Sequence, residues 1–235
     1  MLARVADILV DIPDLGDMAS RCKDYMYQGK DGADVIIRTD LLKRDVPEGL
    51  TEEQNIYLLS GWYFYGGLLK HSGMMLHASA VEYEGKAYLF SAPSGTGKST
   101  HTRIWQKEFG DAARVFNDDK PALRYLDGTW YAYGTPWCGK DGININMKVP
   151  LAGICFLKQA SHNSIRRLSH QEAVSRIISQ TLRAFSRVSH MDLMLKHLDS
   201  LVRDIPVFEL ENRPEPEAAR LSYETMRRAA EELGL

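Results

Sequence analysis

The run APSGTGKST at residues 92–100 gathers the residue types that hold phosphate. It follows the pattern G-x-x-x-x-G-K-[ST], except that Ala92 stands where the first glycine is expected. The chemistry asks for a backbone that curls its N–H groups inward, which Gly95 and Gly97 permit. A lysine must reach the outer phosphates, and that is Lys98. A hydroxyl must sit on Mg²⁺, and that is Ser99, with a helix N-terminus behind it. Alanine, the next smallest residue, fits the first position if no positive φ is needed there. The whole run Pro93, Ser94, Gly95, Thr96, Gly97, Lys98, Ser99 and Thr100 is therefore assigned to nucleotide binding, with ATP and Mg²⁺ as the expected cofactors.

Three other places carry candidate chemistry. The segment ARVFNDDKP ends an apolar stretch in Asn117, Asp118 and Asp119, about 20 residues past the loop. Two adjacent carboxylates repel unless a cation or a proton separates them. One could hold Mg²⁺ while the other accepts a hydroxyl proton, as phosphoryl transfer to an alcohol requires. His77 precedes the loop on a strand, and Lys140 sits between glycines in GTPWCGKDG. The loop and these three places each have a plain structural alternative: a Ser/Thr/Gly turn, an Asp-rich turn before Pro121, a satisfied core histidine, a solvated loop lysine.

These residues need elements to position them. KAYLFSA reads as a strand running into the loop, and the helix after it ends near Gly110. Further strands are expected at MMLHASAVEY, ARVFNDD, ALRYL, TWYAYG and LAGICFL. The dipeptides Glu84–Gly85 and Asp127–Gly128 are hairpin turns, so the sheet must contain antiparallel pairs. Counting outward from Tyr83 opposite Lys86 sets His77 opposite Ala92, at the mouth of the loop.

The N-terminal part, 1–73, reads as a small α/β lobe ahead of a domain over 74–235. Its strands are VADILVDI and ADVIIRT, and its helix starts at a capping box of Thr51 and Gln54. The aromatic stripe Tyr57, Trp62, Tyr63 and Tyr65 on that helix suits core packing better than a ligand platform. Toward the C-terminus, Ser169 and Glu172 cap the helix QEAVSRIISQTLRAFSR, Ser189 caps HMDLMLKHLDSLVRDI, PVFELEN is a strand, and prolines and acids open a last helix.

Composition narrows the class. The 235 residues are 44% hydrophobic and 26% charged, the balance of a globular α/β protein with a real core. A net charge of -2 gives no footprint for nucleic acid. No apolar run reaches the roughly 20 residues of a membrane span, so no membrane partner is expected. Three cysteines without C-x-x-C spacing argue against a disulfide framework or a zinc site, and a cytoplasmic protein is expected.

The order of a histidine strand, a hairpin into SGTGKS, then NDDK and later GININMKVPLAGICFL resembles the catalytic domain of HPr kinase/phosphorylase over roughly residues 74 to 160. The resemblance implies a fold related to phosphoenolpyruvate carboxykinase, with a P-loop on a mixed, partly antiparallel sheet and C-terminal helices beyond. It implies that Gly95, Gly97 and Lys98 cradle phosphate and that Ser99 and Asp119 hold Mg²⁺. Asp118 matches the family's general base, and His77 its histidine ahead of the loop. The chain departs from the family at Thr100, commonly Glu there, and at Lys120, commonly Arg. The large N-terminal domain of those enzymes is missing, and their later loop has no counterpart that the sequence reveals.

The expected activity is an ATP- and Mg²⁺-dependent transfer of the γ-phosphoryl group to a serine or other hydroxyl. The acceptor is a peptide, a protein or a small molecule, since similar stand-alone enzymes are associated with peptide maturation. A homo-oligomer is open, because the HPr kinases form hexamers and the apolar helix near 51–70 could serve an interface. Two other readings stand: a nucleotide-binding regulatory or accessory protein without turnover, and a carboxykinase-like enzyme acting on an organic acid.

Overall fold

The structure, a computed structural model, describes residues 1–38, 46–181 and 188–235. The chain opens on a hairpin of β1 (Leu2–Val5) and β2 (Ile8–Asp11), whose turn residues Ala6 and Asp7 both have positive φ. The expected single strand VADILVDI is thus two strands, and the turn is a tight one without glycine. Its strain is met by fixed partners: Arg124 donates to the Ala6 carbonyl at 2.7 Å, and the Tyr133 hydroxyl to Asp7 at 2.7 Å. A short helix α1 (Met18–Arg21) follows, and β3 (Val35–Ile36) adds to β2 in parallel, completing a three-stranded sheet. Thr39, the last residue of the expected ADVIIRT strand, lies outside the described residues.

Helix α2 (Glu52–Leu68) begins at the expected capping box, with Thr51 and Gln54 each bonded to the other's backbone. It packs Ile56, Phe64, Tyr65 and Leu68 into a core shared with Val5, Ile8 and Val10 of the small sheet and with Trp137.

Among the described residues the second sheet has nine strands and mixed pairing. MMLHASAVEY breaks at Leu76–His77 into β4 (Gly73–Met75) and β5 (Ala78–Tyr83), because the two halves pair with different neighbours. β5 turns through Glu84 and Gly85, at φ 52° and 75°, into β6 (Lys86–Ser91) in the expected register, Tyr83 opposite Lys86. β6 leads to helix α3 (Lys98–Phe109), ended by Gly110 at φ 63°. Then come β7 (Arg114–Asn117), β8 (Ala122–Leu126) and β9 (Thr129–Tyr133), the last two joined by the Asp127–Gly128 hairpin.

β10 (Lys148–Gln159) ties the sheet together. Its first residues pair antiparallel with β9, while later ones run parallel to β6 on one side and to β12 (Val207–Asn212) on the other. β11 (Ser164–Arg167) lies antiparallel on β12. The spatial order is β4-β8-β9-β10-β6-β5-β7, with β12 and β11 off β10.

Both faces of this sheet are covered, following the alternation of the strands. Tyr88 and Phe90 point to a core with Trp105 of α3 and Met226 of α6 (Pro216–Glu232). Ala87 and Leu89 point to the opposite core, with Ile177 of α4 (His170–Gln180) and Leu198 of α5 (Val188–Asp204). Helix α4 starts at the Ser169–Glu172 capping box as expected but ends at Gln180, because Thr181 is extended; residues 182–187 of the expected helix lie outside the described residues. Ser189 already stands inside α5 with helical backbone, so it is not the cap expected of it. No helix among the described residues is long and apolar enough to cross a membrane.

Candidate functional site

The loop between β6 and α3 turns on Gly95 and Gly97, at φ 80° and 111°. Both need the left-handed region that only glycine enters at little cost. Gly97 is the residue before α3, so the first free N–H groups of that helix open on the loop. Lys98 folds back and donates from Nζ to the Ala92 carbonyl at 2.9 Å. Ala92 is itself packed in the core beside Phe90 and Ile104. Its φ is not positive, which is why alanine serves where the motif has glycine. Burial lowers the pKa of the Lys98 ammonium, with Asp119 acting in the opposite sense.

Facing the loop is the end of β7. Asn117 is buried and its side chain organises the turn: Oδ1 accepts from the backbone N–H groups of Asp119 and Lys120, and Nδ2 donates to the Thr135 carbonyl. The two aspartates thereby diverge into different environments. Asp118 is buried, and its Oδ1 accepts from the Gly139 N–H at 2.5 Å. Burial raises its pKa, the Gly139 bond opposes this, and the charge of Asp119 adds to the rise. Burial also pushes Asp119 up, but the hydrogen bond from His77 and the charge of Lys120 outweigh it and hold Asp119 at about 2. The pair therefore splits into a carboxylate that stays ionised and one with raised proton affinity.

His77 sits one residue before β5, continuing the register in which Ala78 faces Ser91. The Ser91 hydroxyl donates to the His77 carbonyl at 2.8 Å, which ties the histidine to the mouth of the loop. Its Nε2 is 3.1 Å from Asp119 Oδ1 and its Nδ1 is 3.0 Å from Gln180 Oε1.

The third wall is the loop between β9 and β10. Its neck is closed where Ile145 N–H donates to the Phe116 carbonyl and Gly134 N–H to the Met147 carbonyl. A Cβ on Gly134 would fall 1.8 Å from the Ile145 carbonyl oxygen, so only glycine fits that neck. The loop presents Cys138, Gly139, Lys140 and Asp141 to a cleft of about 710 Å³ that also takes in His77, Ser94, Gly95, Gly97, Lys98, Ser99, Thr100, Asp118 and Asp119. Of the residues assigned to binding or catalysis from the sequence, all stand on this cleft except Pro93 and Thr96. Thr96 lines a second cavity behind the loop, and Pro93 lines neither, its carbonyl accepting from the Thr96 N–H.

Two cleft residues come from the N-terminal part, where the sequence reading placed no site residue. Arg21, from α1, donates to Cys138 Sγ at 2.9 Å and pairs with Asp17 at 2.5 Å. Tyr57, from α2, donates to the Cys138 carbonyl at 2.9 Å and lies between two cations, Arg21 and Lys120, 4.9 and 5.0 Å from its ring centre. The N-terminal part of the chain thus builds one rim of the cleft. No motif marks Arg21; Tyr57 belonged to a stripe read as core, and in Tyr65, bonded to Thr135 and to the Lys120 carbonyl, that reading holds. Cys138 is buried, and burial raises its thiol pKa, contrary to what a nucleophile needs.

The family model described as SynChlorMet cassette protein ScmC matches residues 63–213, and the chain belongs to that family. No curated protein matches the chain. Among solved structures it is similar to the Hpr(Ser) kinase/phosphatase from Coxiella burnetii, at 10% identity and a TM-score of 0.39, over 68% of this chain and 92% of that one. A likeness at that level fixes neither activity nor substrate.

Proposed function

We propose that the chain is an ATP- and Mg²⁺-dependent kinase that transfers the γ-phosphoryl group to a hydroxyl of a peptide, a protein or a small molecule. The observation that carries this reading is the aspartate pair, Asp118 on the Gly139 N–H and Asp119 between His77 and Lys120, lining one cleft with a glycine loop, Lys98 and Ser99. The motif order shared with HPr kinases, read from the sequence, points the same way.

Loop N–H groups and Lys98 hold the phosphates, and Lys98 exchanges its bond to the Ala92 carbonyl for phosphate oxygens. Ser99 and Asp119 are hard oxygen donors on the cleft wall, and Mg²⁺ binds through one or two carboxylates with waters and substrate phosphates. Among the described residues His77 is the one donor to Asp119 Oδ1, which leaves that oxygen a lone pair for the ion. These residues fit the ion. Bound there, Mg²⁺ would neutralise charge on the transferred group. Asp118, held in place by Gly139, takes the proton of the acceptor hydroxyl, and its raised pKa makes it the stronger base of the two. Lys140, exposed on the rim, adds positive charge beside the leaving phosphates. His77 is a positioning residue that acts through Asp119.

The test is an acceptor screen with ATP labelled at the γ-phosphate, beginning with serine-containing peptides, with Asp118→Asn as the control. Label that moves to a hydroxyl with the native chain and not with Asp118→Asn supports the reading. Bound ATP that is never consumed with any acceptor would instead favour an accessory nucleotide-binding protein.

A further inference from the structure

Arg21 stands on the wall of the catalytic cleft with part of its hydrogen-bonding capacity unused. Its Nε donates to Asp17 at 2.5 Å, and Nη1 reaches Cys138 Sγ at 2.9 Å and the Cys138 carbonyl at 3.4 Å. A thiol is a weak acceptor, so the Nη1 contact satisfies little. Among the described residues Nη2 has no hydrogen-bond partner, and it is not one of the buried unpartnered atoms, so it keeps accessible surface. The guanidinium is nonetheless fixed in place. Asp17, just before α1, pairs with it, and the Tyr57 ring lies 4.9 Å from its centre.

Its position is at the acceptor end of the cleft. Arg21 and Tyr57 also line a further cavity of about 350 Å³ that includes no residue of the glycine loop, so both stand at the end away from that loop. Both bond Cys138, and the next residue, Gly139, holds Asp118. Lys98 belongs to the opposite end, tied to the Ala92 carbonyl. The other cations nearby are less suited to this place. Lys120 is paired with Asp119, and Lys140 is an exposed side chain on a flexible stem.

We propose that Arg21 is a further catalytic residue, whose Nη2 and Nη1 groups bind oxygens of the phosphoryl group in flight. The proposal rests on the kinase reading and deepens it. In the transfer, the bond from the γ-phosphorus to the β–γ bridging oxygen breaks and a bond from the acceptor oxygen to that phosphorus forms. The electron pair of the broken bond leaves with ADP, and the acceptor proton goes to Asp118. Charge is spread meanwhile over the equatorial oxygens of the group. A planar guanidinium can meet two of these oxygens in parallel, giving up the thiol for them. Because Asp17 and Tyr57 hold it beforehand, it needs little reorganisation at the moment of reaction.

The experiment needs no acceptor. Mg·ADP is titrated calorimetrically into the full chain with and without aluminium fluoride, which imitates the transferring group, and Arg21→Gln and Arg21→Lys are run alongside. Glutamine keeps a donor for Asp17 and removes the charge, while lysine keeps the charge and removes the fork. In the native chain, fluoride should tighten ADP binding by at least about a hundredfold, the lower end of what transition-state analogues gain. Arg21→Gln should lose at least about tenfold of that gain, and Arg21→Lys should keep an intermediate gain. Both variants should bind Mg·ADP alone within about twofold of the native chain, because the interaction is made only in the transition state. No gain from fluoride in the native chain, or an undiminished gain in Arg21→Gln, overturns the assignment and leaves the nucleotide site standing. Weakened Mg·ADP binding in both variants would give Arg21 a structural part in the nucleotide site and overturn it too. A native chain that binds no Mg·ADP overturns the kinase reading and this inference with it.

Discussion

His77 Nε2 stands 3.1 Å from Asp119 Oδ1 while Lys120 pairs with the other oxygen, so one carboxylate of an adjacent pair is held from both sides. Its neighbour Asp118 is instead held by the backbone N–H of Gly139. The difference in partners, rather than in residue type, separates the two acids.

That difference can be titrated. The folded pKa of Asp119, about 2, lies below its ordinary 3.8, so its contribution to stability is fully present above about pH 4 and is lost as pH falls toward 2. His77→Gln should raise this pKa toward the ordinary value. Carboxyl carbon shifts followed by NMR against pH report it directly. An unchanged Asp119 titration in the variant would show that His77 contributes nothing to the split.

Asp118→Asn should leave nucleotide affinity within about twofold and lower transfer by at least about a hundredfold, the usual contribution of a general base. In the native chain the acid limb of the rate profile should fall above pH 3.8, because burial raises the Asp118 pKa and the base must be ionised to act. Steady-state rates from pH 4 to 8 measure both points. An active Asp118→Asn enzyme removes the base from the scheme.

Gly139 is packed against Asp118 so closely that a Cβ would sit 2.9 Å from Oδ2. Gly139→Ala must therefore displace the carboxylate or the loop. A displacement of an ångström or so costs about a hundredfold in a positioned reaction. The expected outcome is a fall in transfer rate with nucleotide affinity retained, and a native rate in Gly139→Ala would contradict the assigned position of Asp118.

Tyr57→Phe removes the hydrogen bond to the Cys138 carbonyl, together with the hydroxyl's longer contacts to Lys120 and Asp119, and keeps the ring beside Arg21 and Lys120. The loss should be about 0.5–1.5 kcal/mol of stability, with faster amide exchange at Gly139. Exchange at Gly139 that matches the native chain would mean the N-terminal rim does not hold this loop.

Local chemistry made much of the fold legible. Glu84–Gly85 and Asp127–Gly128 specify their turns through two residues at positive φ, and a turn fixes the register of a hairpin. From that register alone His77 could be set beside the glycine loop. The Ala6–Asp7 turn was hidden because neither residue announces positive φ; Arg124 and Tyr133, more than a hundred residues away, hold it. The parallel pairing of β6, β10 and β12 was hidden for a similar reason, since no short-range signal sets partners across a crossover. Arg21 and Tyr57 reach the cleft through tertiary packing of the N-terminal part, which has no spacing to read.

The central claim is that this cleft holds the phosphates of a nucleotide through Lys98. Titration of Mg·ATP into the native chain and into Lys98→Ala by calorimetry tests it most directly. The account predicts saturable binding by the native chain and loss of at least about a hundredfold in the variant. Absence of binding by the native chain, or equal binding by Lys98→Ala, would contradict it.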